Sequence, residues 1–202
     1  QIMRDSSARS VEEYKGYVQK EQKVVFVEDT KYFCISSPNS QDQAFLQMLY
    51  TVDKKKISCE KPLLWDTLRF LFPVAIVDCR EIKHFLFEWC EGKAFLSSDL
   101  ASQEKRVKNE LDTHILECFA TLAEALDYME SGIPTSMKTK IRFFYTDLNP
   151  SNVMYHENHL SLIDPLSLVS YQGEEIILKP NKISVPADHG LHLYFCHPYW
   201  LV

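Results

Sequence analysis

The sequence predicts an α+β fold, with a small antiparallel sheet lying before a helical region. Two observations carry this. Runs of β-branched and aromatic residues joined by short polar turns occupy the first 92 residues, as antiparallel hairpins require. Between Leu111 and Met129, apolar residues instead recur at intervals of three and four, the spacing of an amphipathic helix. With 202 residues, 46% of them hydrophobic, the chain is long enough to bury a substantial core as one domain or two small lobes. Glu91, Gly92 and Lys93 punctuate it, so the expected division is 1–92 and 93–202.

The elements follow in order. The first dozen residues are polar and carry little signal, and 14–18 offer a first strand. Val24, Val25, Phe26 and Val27, a polar turn at 28–31, and then Tyr32, Phe33, Cys34 and Ile35 read as a hairpin. Asn39 and Ser40 supply an N-cap for a helix with Ala44, Phe45, Met48, Leu49 and Val52 on one face. A shorter apolar segment covers 63–72. After Pro73, residues 74–77 and 84–89 form a second hairpin broken at Asp78, Cys79 and Arg80. Ser97, Ser98 and Asp99 open the helical region. Its long helix stops at Gly132, with Pro134 just beyond, as helix C-termini commonly do. Phe143 and Phe144 lead into a polar loop, 160–163 is a short strand, and the tail from Gln172 is mostly loop with a β-like patch at 176–178.

Composition removes several function classes. Twenty-eight acidic against 22 basic residues give a formal charge of -6, which argues against nucleic acid or an anionic membrane as partner. Lys54, Lys55 and Lys56, and Lys138 with Lys140, read as solvated turns. No stretch approaches the roughly 20 apolar residues of a membrane span. The chain begins at Gln1, so an earlier segment stays open and the compartment is unknown. Six scattered cysteines show no zinc or redox spacing and read as buried free thiols. The seven histidines show no convergent metal-ligand spacing and read as surface residues.

The chemistry concentrates in one stretch. Asp147 is followed five positions later by Asn152, and twelve further on by Asp164 at the end of the apolar strand. The competing explanation is turn chemistry alone, since Asp-Leu-Asn-Pro-Ser-Asn is a good turn sequence. Against chance stands a resemblance to a known family, in the interval to Asp164 and in the long helix before the loop. The pattern Tyr145-Thr146-Asp147-Leu148-Asn149-Pro150-Ser151-Asn152, then Leu162-Ile163-Asp164-Pro165, resembles the catalytic loop and metal loop of the protein-kinase-like superfamily.

That resemblance implies a two-lobe fold with a small antiparallel-sheet N-lobe and a reduced helical C-lobe. It implies ATP and Mg²⁺ as cofactors, Asp147 as the base that orients and deprotonates an acceptor hydroxyl, and Asn152 and Asp164 as metal ligands. The 24–35 hairpin would be strands two and three, and 40–52 the regulatory helix. Residues 88–92 would be the hinge, where Glu88, Trp89 and Cys90 meet adenine.

The departures lie in both halves. The turn that should be glycine-rich reads Gln19-Lys20-Glu21-Gln22-Lys23, so its backbone cannot close over phosphates as glycines permit. The strand-three Lys position falls near Ile35 or Ser36, and the helix after it has no Glu; Lys31 and Lys23 are the nearest substitutes. Tyr145 and Thr146 stand for His and Arg, Asn149 for a common Lys, and Pro165-Leu166 for Phe-Gly. The chain ends soon after Cys196-His197-Pro198-Tyr199-Trp200, so the expectation is a reduced C-lobe, as either a naturally minimal kinase or part of a longer protein. The expected function is an atypical protein kinase acting on a protein hydroxyl. The alternatives are a pseudokinase scaffold with weak or no nucleotide binding, and a small-molecule kinase. A protein partner or second copy is expected to cover the reduced lobe.

Overall fold

A computed structural model describes residues 21–37, 40–79, 82–94, 108–156, 158–172 and 175–180. The expected strand at 14–18, the opening of the helical region at 97–99 and the C-terminal 196–200 segment lie outside the described residues. Within them the fold is α+β, and every strand pair is antiparallel.

The first hairpin is β1 (Glu21–Val27) and β2 (Thr30–Ser37), closed by Glu28 and Asp29, both at positive φ. It extends further than the alternation indicates: Glu21 pairs with Ser36 and Lys23 with Cys34. Residues 21–23, expected in a turn, are therefore regular strand. The second hairpin is β3 (Ala75–Cys79) and β4 (Ile82–Glu88), and the sheet order is β1-β2-β4-β3.

Helix α1 (Ser40–Tyr50) buries Asp42, Phe45, Leu46 and Leu49. Its buried face differs from the expected one, because Ala44 is exposed and Val52 lies beyond the helix in a bridge to Thr135. The lysine run is the first turn of α2 (Lys54–Glu60), not a solvated turn. Asp53 caps it by accepting from the Lys56 N–H at 3.0 Å, and Ile57 anchors it in the core. Helix α3 (Pro62–Leu68) starts on a proline, which loses no helical hydrogen bond there. It runs into a 3-10 turn, Arg69–Leu71.

Helix α4 (Lys108–Ser131) ends at Gly132, whose φ of +109° suits glycine alone. A Cβ there would also press on the Lys140 Cβ at 3.3 Å. The chain then forms β6 (Ile133–Pro134) and β7 (Lys140–Tyr145), with Lys138 in the exposed turn between them. After the polar loop come β8 (Val153–His156), β9 (His159–Leu162), a 3-10 turn Pro165–Ser167, β10 (Leu168–Gln172) and β11 (Glu175–Leu178). One sheet has the order β11-β10-β7-β6. A smaller one has the order β5-β8-β9, where β5 is Lys93–Ala94.

One connected apolar cluster runs from Ile35, Phe45 and Phe85 through Phe72 to Phe143, Tyr145 and Leu162. Helix α3 and the turn after it lie against α4 and β9, so the segment between α1 and β3 ties the first sheet to the loop that carries the polar motif.

Candidate functional site

Strand β7 delivers the chain to the loop at 146–152, and its end is pinned on two sides. Tyr145 pairs with Leu168 of β10, and Thr146 donates through both its N–H and its Oγ1 to the Ser167 carbonyl, each at 2.8 Å. The Tyr145 hydroxyl, buried in the core, donates to the Ile163 carbonyl. Burial raises its pKa well above the ordinary tyrosine value, and the charges of Asp164 and Asp147 add to that.

The loop closes on Asp147. Asn149 Nδ2 donates to Asp147 Oδ1 at 2.8 Å, and Asn152 Nδ2 donates to Oδ2 at 3.0 Å. Both amides also reach the Asp147 backbone oxygen, at 3.2 and 2.9 Å. Asn149 Oδ1 in turn accepts from the Ser151 N–H at 2.9 Å and from the Ser151 hydroxyl. The Asp147 carboxylate thus has a fixed rotamer with each oxygen held by one amide. These bonds also fix Asn152, whose NH₂ faces Asp147 and whose carbonyl oxygen faces away.

Asp164 is brought to the same place through the backbone, because the Ile163 N–H donates to the Asn152 carbonyl at 3.0 Å. Its own backbone is left-handed, with φ 62° and ψ 79°, and it caps the following 3-10 turn. Oδ1 accepts from the Leu166 N–H at 3.2 Å and Oδ2 from the Ser167 hydroxyl at 2.8 Å. The contacts of the turn explanation are therefore present.

Asn152 and Asp164 offer oxygen donors only, which suit a hard cation such as Mg²⁺. Among the described residues no group of three His, Cys, Asp or Glu side chains converges on a metal position. A cation held here would complete its shell with water and phosphate oxygens, as Mg²⁺ commonly does.

Glu88, Trp89 and Cys90 lie at the end of β4 and in the link to β5. Since β5 pairs with β8, which follows Asn152 directly, this link joins the first sheet to the motif. Glu88 pairs with Tyr32 across the sheet and meets Arg69 Nη1 at 3.5 Å through its carboxylate. Lys31 Nζ lies 3.9 Å from the centre of the Trp89 ring and 4.0 Å from Glu91. That places Lys31 at the end of β2 next to the β4–β5 link, four residues or about 13 Å along the strand from Ile35.

Sequence reasoning noted Asn149 only as a replacement for a Lys and missed that it holds Asp147, and it gave no role to Asp42, an acidic residue fully buried on α1. The Asn-Pro-Ser turn signal pointed to the first. The second was legible in the helical phase of 42, 45, 46 and 49. No family model matches the chain, and no curated protein matches it.

Proposed function

We propose that the chain is an atypical protein kinase, which transfers the γ-phosphoryl group of ATP to a protein hydroxyl within a protein-kinase-like two-lobe fold. The observation that carries this is the interlock of Asp147 with Asn152, and of Asn152 with the backbone beside Asp164. Phosphoryl transfer asks for little covalent chemistry and much positioning.

When bound, Mg²⁺ and ATP supply the phosphoryl group and the neutralisation of its charge. Asp147 receives the acceptor hydroxyl and takes its proton. Asn149 and Asn152 stop the carboxylate from rotating. Asn152 Oδ1 and Asp164 present the metal-binding oxygens. The hinge at Glu88, Trp89 and Cys90 is the proposed adenine contact.

One observation favours the pseudokinase instead. Residues 21–23 are paired strand rather than a loop able to wrap phosphates, so the clamp from above is weak at best. Label transfer from γ-labelled ATP to a mixture of basic and acidic carrier proteins decides between the two. Transfer that disappears in Asp147→Ala supports the kinase. Absence of transfer from the wild type, across metals and acceptors, supports the scaffold.

A further inference from the structure

A second cluster of ligand-type side chains stands on α4, apart from the loop that holds Asp147. His114 and Cys118 are one helical turn apart, and Cys118 Sγ lies 3.7 Å from His114 Nε2. The Cys118 sulfur also lies 3.3 Å from the backbone oxygen of Asn158, in the tight turn between β8 and β9. That turn is held by Asn158 at φ 65° and by the Tyr155 hydroxyl, which donates to Asn158 Oδ1 at 3.2 Å. On the far side of the imidazole, Glu117 Oε2 is 4.0 Å from His114 Nδ1.

We propose that His114 Nε2, Cys118 Sγ and the Asn158 carbonyl form a binding site for a borderline-soft divalent cation of the zinc class. The proposal is independent of the kinase assignment. A cation with bonds of about 2.3 Å to sulfur and about 2.0 Å to nitrogen separates the two ligand atoms by about 3.5 Å at a tetrahedral angle. The observed spacing admits such an ion with little movement. Two ligands at i and i+4 on a helix are preorganised by the backbone. Glu117 Oε2 lies on the Nδ1 side of the ring, 4.0 Å away and beyond direct hydrogen-bond reach, where a bridging water could join it to the second ring N–H.

The balance is simple. The Cys118 thiol gives up its proton to solvent as the sulfur–metal bond forms, and neutral His114 donates its Nε2 pair. Cys118 is buried whereas His114 is exposed on one side, which gives the ion an entry path and water as the fourth ligand. With two side-chain ligands, the affinity falls below that of a closed structural site, and the fold does not depend on the ion.

The test is titration of the reduced full chain with Co²⁺, followed by the sulfur-to-cobalt charge-transfer band in the near ultraviolet. The expected result is a band that saturates at one equivalent and disappears when Zn²⁺ is added. Cys118→Ser abolishes the band, and His114→Gln weakens Co²⁺ binding at least about tenfold. Absence of a band overturns the proposal. So does a band that survives in Cys118→Ser, which would assign it to another thiol such as the exposed Cys59. If Cys118→Ser fails to fold, the half-exposed His114→Gln variant decides, and unchanged affinity there overturns the site.

Discussion

The loop around Asp147 and the end of the first sheet beside the β4–β5 link both gather charged and polar residues, but they are held in different ways. Around Asp147 each polar group is tied to at least one other: Asn149 and Asn152 to the carboxylate, Ser151 to Asn149, and Ser167 to Asp164 and Thr146. Tyr145 and Phe143 fasten that region to the core from below. At the β4–β5 link, Lys31, Trp89 and Glu91 meet through one ring contact and one long ion pair, beside the exposed Glu28–Asp29 turn. Preorganised short hydrogen bonds fix geometry to fractions of an ångström, whereas partly exposed charge contacts contribute little and yield to salt. The difference matches the proposed chemistry, in which the base must be stationary and the hinge must admit a ligand.

The largest effect expected is on transfer. Asp147→Ala lowers the rate by about 10²–10⁴-fold with little change in melting temperature, because both amides keep the Asp147 backbone oxygen as acceptor. A large drop in stability would mean that the carboxylate serves the fold rather than the chemistry.

The next contrast is between two phenylalanines. Phe143 is fully buried, with its ring 6.2 Å from that of Phe72. Phe143→Ala is expected to cost about 3–5 kcal/mol in denaturant unfolding. Phe26 is 60% exposed near the tip of the first hairpin, so Phe26→Ala is expected to fall within about 0.5 kcal/mol of wild type. Equal costs would erase the distinction between the two regions.

Tyr145→Phe leaves the Ile163 carbonyl without its donor and is expected to cost about 1–3 kcal/mol. The folded state binds the Tyr145 proton more tightly than the unfolded chain does. Its contribution is whole below a pH of about 10 and is lost as pH rises beyond that. Alkaline unfolding of the wild type is therefore steeper than that of Tyr145→Phe, and superimposable profiles would count against the buried hydrogen bond. Lys31→Ala, at the hinge, is expected to change stability by no more than about 1 kcal/mol. Added salt should reduce that difference further.

Much of this organisation was legible before any coordinates. Alternating β-branched and aromatic residues marked both hairpins, and Gly132 with Pro134 marked the end of α4, because only a left-handed residue closes that helix. The motif spacing located Asp147, Asn152 and Asp164. Other elements were hidden for physical reasons. Helix α2 rests on Ile57 as its one fully buried side chain and begins with a lysine run, so its charge masks its period. Strand β10 is buried at Leu168, Val169 and Ser170 alike and shows no alternation. His84 looked like a surface residue, yet its Nδ1 meets the buried Ser36 hydroxyl at 2.6 Å. Only the pairing of β2 with β4 brings those two together.

The central claim is that Asp164 and its neighbours form a working metal–nucleotide site despite the paired strand at 21–23. Calorimetry of ATP binding, with and without Mg²⁺, for the wild type and Asp164→Ala tests it most directly. The account predicts binding that requires Mg²⁺ and is abolished in Asp164→Ala. Absence of binding at millimolar ATP, or equal binding by the variant, would contradict it.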